Sequence, residues 1–206
     1  MSSPTRLFFI RHGEVENSYR RVFGGRIDME LSPFGHEQAQ ALAEYLQRYP
    51  FDAIYASPMK RVQQTLRGLV ELQNKVAVVA NELREVDFGD WTGLSWEQVN
   101  EQFGVSAFSW LEQLEQGRIN GAEHIEHFRA RIEQALHRIL GEQPERNVAI
   151  VCHGGVIRMS LAILLDLPLT KTAHLDIEYA SITILDWLPT KAVIQLLNFT
   201  PWRDIK

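Results

Sequence analysis

The 206-residue chain is 45% apolar and 23% charged, with a formal net charge of −5. A domain of ~100–200 residues favours a single domain over positions 1–206 and a core that needs no metal or disulfide staple. The acidic balance excludes an extended basic surface for nucleic acid, the lone Cys152 excludes an intrachain disulfide, and no apolar run approaches the ~18 residues of a membrane helix. The expectation is a cytoplasmic protein whose partner is neither nucleic acid nor membrane.

Leu7-Phe8-Phe9-Ile10 reads as a buried strand, followed by a long polar loop from Arg11 to near Leu31. Ser32-Pro33 is an N-cap with a first-turn proline, and Ala39, Leu42, Ala43 and Leu46 recur at the spacing of one helix face. Ala53–Ala56 is a second strand. Ser57-Pro58 repeats the helix-start signal, with Val62, Leu66, Leu69 and Val70 as the buried stripe. Residues 76–79 form a third strand and 82–93 an irregular, glycine-punctuated stretch. Ser95 to Gln98 is a capping box opening a short helix. Ile125, Phe128, Ile132, Leu136 and Ile139 mark a long amphipathic helix ending near Gly141. Residues 148–151 form a fourth strand, Gly154-Gly155 leads into an apolar helix, and 181–185 and 193–197 are closing strands around a turn at Pro189. Strand–helix alternation predicts a three-layer α/β/α sandwich with a mostly parallel central sheet. Apolar strands without alternation fit burial on both faces.

Two strand ends carry chemistry. The first strand runs into Arg11-His12-Gly13-Glu14, the fourth into Cys152-His153-Gly154-Gly155. Each puts a histidine and then a glycine at the C-terminal edge of the sheet, where open α/β folds bind ligands. His153 also precedes a helix N-terminus, whose free N–H groups favour an anion. Arg61, in the first turn after Ser57-Pro58, reaches the same edge. With Arg11 it supplies two guanidinium forks for one phosphate. The first 26 residues hold five arginines (6, 11, 20, 21, 26) against two glutamates (14, 16), a local excess inside an acidic chain.

R-H-G-E at 11–14, S-P-x-x-R at 57–61, L-R-E-x-x-F-G-x-W-x-G at 83–93 and H-G-G at 153–155 together resemble the histidine phosphatase superfamily, the phosphoglycerate-mutase-like enzymes. G-x-x-D-x-x-L-S-x-x-G at 25–35 and G-A-E at 121–123 extend the match. The resemblance implies that His12 is a nucleophile carrying a phosphohistidine. It implies that Arg11, Arg61 and His153 hold the phosphoryl oxygens, and that Glu85 is general acid and then base. The chemistry agrees. A nucleophilic imidazole must be neutral, which an ordinary value near ~6.5 allows at neutral pH, and preorganised donors stabilise a transferring phosphoryl group. A carboxyl must be protonated to act as an acid, which a dianionic phosphate beside it favours.

The family's R-H-G-E-T-x-W-N is here followed only as far as Glu14; Asn17 or Ser18 is the expected extra phosphate contact. The usual G-G-E-S is Gly121-Ala122-Glu123-His124, which leaves the leaving-group side open. Trp91, Trp96 and Trp110 are candidates for a substrate wall or for the core, and Gly24-Gly25 and Arg20-Arg21 for the pocket or a solvated loop. The short F-G-x-W-x-G segment is more similar to phosphatases than to mutases. It fits an α-ribazole-5′-phosphate phosphatase of cobalamin biosynthesis first, and a broad-specificity or sugar-phosphate phosphatase second. A catalytically weak phosphate- or protein-binding module is the non-enzymatic alternative. No metal or other cofactor is expected. His36-Glu37-Gln38-Ala39-Gln40 and His124-Ile125-Glu126-His127 fall short of zinc motifs. His137 and His174 read as surface residues. Cys152, next to His153 on a strand, points to the opposite face. The expected partner is a small phosphorylated metabolite.

Overall fold

The computed structural model describes residues 3–205. Its strands are Thr5–Arg11 (β1), Ala53–Ala56 (β2), Val78–Val79 (β3), Asn147–Cys152 (β4), Ile182–Leu188 (β5) and Lys191–Phe199 (β6), in the sheet order β3-β2-β4-β1-β5-β6. The first four in that order run parallel, and β5 and β6 add an antiparallel hairpin beside β1. The sheet is thus mixed but mostly parallel. Alternation sends β1 side chains to opposite faces. Phe8 and Ile10 pack with Leu42, Leu46, Val62 and Leu66, while Leu7 and Phe9 pack with Phe128, Ile132, Val156 and Leu161. These are the two helical layers: Pro33–Leu46 (α1) and Lys60–Gln73 (α2) on one face, Ile125–Glu142 (α5) and Gly154–Leu164 (α6) on the other. Between them in sequence lie Trp96–Phe103 (α3) and Trp110–Glu115 (α4), and Pro201–Asp204 (α7) ends the order.

Ser32 caps α1 by accepting from Gly35 N at 2.9 Å, and Ser95 and Gln98 form the expected capping box of α3. Two readings need correction, and one helix is added. The α2 helix starts at Lys60 with Met59 as its cap residue; the Ser57 hydroxyl accepts from Met59 N at a long 3.4 Å and lies closer, at 2.8 Å, to His153 Nε2. The third strand shrinks to Val78–Val79, and both residues are half exposed at the edge of the sheet. Helix α4 has no sequence signal comparable to the others; it forms as Leu111 and Leu114 bury against the larger core cluster.

Where β1 ends, the chain passes very close to the start of α1. A Cβ on Gly13 would sit 2.6 Å from the Gly35 carbonyl oxygen, and a Cβ on Gly35 would overlap the Glu14 carbonyl. Both obstacles are backbone, so neither can swing aside. Gly35→Ala should therefore destabilise the protein by about 1–3 kcal/mol, read as a lower midpoint of urea unfolding, with loss of activity from displacement of the turn at Gly13.

Candidate active site

The sheet order brings the ends of β2, β4 and β1 side by side. Backbone hydrogen bonds continue the ladder past the strands: His12 N donates to Cys152 O at 3.1 Å and Ser57 N to Val151 O at 3.0 Å. His12, His153 and Ser57 therefore share one edge. The His12 and His153 rings lie 5.3 Å apart, edge to face, and all three residues are buried.

His12 Nδ1 lies 2.8 Å from Gly13 O. A carbonyl only accepts, so Nδ1 carries the proton and the lone pair of the neutral ring is on Nε2. Burial, then Arg61 and Arg11, hold the His12 imidazolium well below the usual histidine range. His153 is held down in the same way, by burial first and then by Arg61. Its Nε2 lies 2.8 Å from Ser57 Oγ, and its buried Nδ1 has no protein partner.

The two arginines are fixed by backbone. Arg61 donates from Nη1 to Ile27 O at 2.7 Å and from Nη2 to Gly25 O at 3.1 Å, while Arg11 donates from Nη1 to Ile177 O at 2.5 Å. Both Nε atoms are buried without a partner. Burial pushes the Arg61 guanidinium down to about 10, so it remains charged at neutral pH. Arg11 also stacks 4.0 Å over the ring of Tyr179. Thr65 ties the halves together, since its Oγ accepts from Gly13 N at 3.0 Å and donates to Arg61 O at 2.7 Å.

Glu85 approaches from the opposite side of the sheet edge. Its carboxylate accepts from Gly155 N at 3.1 Å and from its own neighbour Val86 N at 3.0 Å. A Cβ on Gly155 would overlap that carboxylate, so the second glycine of His153-Gly154-Gly155 is what makes room for the acid.

Arg11, His12, Arg61 and Glu85 all line one cavity of about 910 Å³. Arg20, Arg21, Gly24 and Gly25 line it as well, as do Trp96 and Trp110. Trp91 does not: it is buried in the core against Phe23. Asn17 and Ser18 are exposed in a short 3-10 turn and do not line the cavity, whereas the adjoining Tyr19 and Arg20 do. His36, His124, His127, His137 and His174 are exposed. Cys152 is a buried free cysteine inside the core, and burial pushes its thiol up. Ser57, Thr65 and Tyr179 are site residues the sequence reading did not single out. For Ser57 the signal was present in S-P-x-x-R but was read as a helix cap. For Tyr179 there was none, because it is brought in by the turn before β5.

The cluster offers a neutral imidazole nitrogen with a free lone pair, two fixed cations with unused donors and a carboxyl group around one cavity, with the neutral imidazole of His153 buried beside His12. The model of the histidine phosphatase superfamily (branch 1) matches residues 7–200. Phosphoserine phosphatase 1 of Hydrogenobacter thermophilus is 28% identical, over 95% of this chain and 92% of its own length. The adenosylcobalamin/alpha-ribazole phosphatase of Salmonella typhimurium is 27% identical, over 94% of this chain and 96% of its own. The structure of mycobacterial glucosyl-3-phosphoglycerate phosphatase with inorganic phosphate superposes with a TM-score of 0.83 at 29% identity, covering 96% of this chain and 99% of that one. With that match and this constellation of residues, the chain belongs to branch 1 of the histidine phosphatase superfamily and is a phosphatase of that family, a phosphoric monoester hydrolase.

Proposed function

We propose that the protein hydrolyses phosphomonoesters in two displacements through a phosphohistidine at His12. One observation carries this reading. Arg11 Nε, Arg61 Nε and His153 Nδ1 are buried donor positions without protein partners, beside a histidine whose lone pair is on Nε2. Buried donors left unpaired are costly, and phosphoryl oxygens would satisfy all three. Ser57 Oγ–H can donate to His153 Nε2, which leaves His153 Nδ1–H for the phosphate.

In the first step the His12 Nε2 lone pair attacks phosphorus and the P–O bond to the alcohol breaks. The Glu85 carboxyl gives its proton to the leaving oxygen. In the second, water attacks phosphorus, Glu85 takes a proton from it, the P–N bond breaks, and neutral His12 and phosphate are restored. The bond from His12 Nδ1 to Gly13 O persists throughout and supports positive charge on the ring as the P–N bond forms. Arg11, Arg61 and His153 hold the phosphoryl oxygens. One such donor is typically worth ~10²–10³ in rate.

α-Ribazole-5′-phosphate is the substrate we favour. The cavity that would hold the phosphate has aromatic walls: Phe88 and Trp110, in edge contact at 5.3 Å, and Trp96 line it. Phe34 and Trp202, in edge contact at 5.4 Å, line it too. Such walls suit a planar base with its ribose better than they suit serine.

Three outcomes follow. Brief incubation with labelled substrate should leave acid-labile label on the wild type and none on His12→Ala; acid-stable label, or label on the variant, overturns the phosphohistidine. In a substrate panel, α-ribazole phosphate should exceed O-phosphoserine and glucosyl-3-phosphoglycerate by at least tenfold in kcat/KM, a difference of ~1.4 kcal/mol. The reverse order removes the α-ribazole reading. The third concerns pH. The fold keeps His12 and His153 neutral, while the unfolded chain protonates both below about pH 6.5. Their contribution is therefore complete above that pH and lost as pH falls, by up to ~1.4 kcal/mol per unit for each histidine. Urea unfolding at pH 7 and 5.5 should show this loss, and His12→Asn should reduce it by about 1 kcal/mol.

A further inference from the structure

Glu85 sits on an irregular stretch with no regular element to hold it, yet a general acid must be placed to within a fraction of an ångström. Helix α5 supplies the restraint. Arg131 donates from Nη1 to Glu82 O at 2.5 Å and to Arg84 O at 2.7 Å, and from Nη2 to Glu85 O at 3.4 Å. One guanidinium thus gathers three carbonyls of the segment that carries the acid. Its remaining edge is gripped by Glu123, with Nε to Oε1 at 2.6 Å and Nη2 to Oε2 at 2.9 Å. The side chains are 17% and 10% exposed, so this bidentate pair is shielded far more than a surface ion pair.

Glu123 is the glutamate of G-A-E at 121–123, a motif the catalytic scheme leaves unused. Its backbone N donates to Asp87 O at 3.0 Å, and its Oε2 lies 3.7 Å from Arg26 Nη2. Arg26 belongs to the loop whose Gly25 and Ile27 carbonyls hold Arg61. The pair therefore joins the acid's segment to the loop that positions a phosphate arginine. Arg131 does not line the cavity, and its Nε, Nη1 and Nη2 are all engaged by Glu123 and by the carbonyls of residues 82, 84 and 85, which leaves no nitrogen without a partner for a substrate.

We propose that Arg131, oriented by Glu123, is the positioning residue of the general acid: it fixes the Glu82–Glu85 carbonyls so that the Glu85 carboxyl stays at the leaving oxygen. This rests on the Glu85 role proposed above. Lysine cannot replace it, because a single ammonium lacks the planar fork that reaches three carbonyls and both carboxylate oxygens at once.

The test uses two esters. p-Nitrophenolate leaves with little need of a proton, whereas the alkoxide of phenethyl phosphate needs one. Arg131→Lys should lower kcat/KM for phenethyl phosphate about 10- to 100-fold, part of the ~10²–10⁴ that general acid catalysis supplies, and that for p-nitrophenyl phosphate less than about threefold. Glu123→Gln, which weakens the grip from the other end, should show the same bias and stands in if Arg131→Lys does not fold. In an Arg131→Lys/Glu85→Gln double variant the bias should be no larger than in Glu85→Gln alone. Equal losses on both esters would indicate a merely structural role and overturn the proposal, as would no loss on phenethyl phosphate. If Glu85→Gln discriminates between the esters and neither clamp variant does, the clamp alone fails. If Glu85→Gln does not discriminate, the general-acid reading fails and the clamp with it.

Discussion

The parallel registration of β2, β4 and β1 ends three strands at one edge, and the bonds from His12 N to Cys152 O and from Ser57 N to Val151 O carry that registration beyond the sheet. Main-chain geometry, rather than side-chain packing, therefore sets the spacing of His12, His153 and Ser57. The turn after β1 is then pinned by contacts that could not form elsewhere: Gly13 against Gly35, Gly13 N on Thr65, Glu14 N on Gln38 at 2.8 Å. A slip of one residue in β1 would send the imidazole to the wrong face of the sheet.

Upon that frame the site gathers two guanidinium cations, and the nearby Glu85 carboxylate only partly offsets the burial of Arg61. Arg11 and Arg61 lie close to two histidines that remain uncharged because of them and because of burial. Carbonyls hold each guanidinium in direction but do not cancel its charge. On the reading proposed above, phosphate is the group that would do so, which would make substrate binding and repair of the electrostatic imbalance one event. On that same reading, the neutral nucleophile and the cationic cradle are consequences of the same arrangement, since the arginines that would receive the phosphoryl oxygens also help burial keep the proton off His12.

The sequence made legible whatever depends on a short stretch of chain. Ser32-Pro33, the Ser95–Gln98 box, the 3.6-residue stripes and the two His-Gly strand ends all sit where the local pattern implies. Proposed site residues on strand ends or first helical turns (Arg11, His12, Arg61, His153) come together, because their direction follows from the element. Features set by distant chain were not legible. Ser57 reads as a cap from its neighbours, and only the pairing of β2 with β4 brings it to His153. Asn17 and Ser18 stand on a loop turn whose facing no periodicity specifies. Trp91 and Trp96 look alike in sequence, yet one fills the core and the other lines the cavity. The arginine excess of the first 26 residues also divides: Arg11, Arg20 and Arg21 face the cavity, while Arg6 pairs with Asp186 and Arg26 with Asp87 and Glu123.

Cys152, directly beneath His153, has a consequence of another kind. Reactive sulfur needs the thiolate and an access path, and this sulfur has neither: it is fully buried and burial disfavours its ionised form. The proposed nucleophile is instead an imidazole nitrogen, which does not climb the sulfenic–sulfinic ladder. Thiol-alkylating agents, which silence phosphatases built on a cysteine thiolate, would find no accessible thiol at this centre, since Cys152 is the one cysteine of the chain and it is buried.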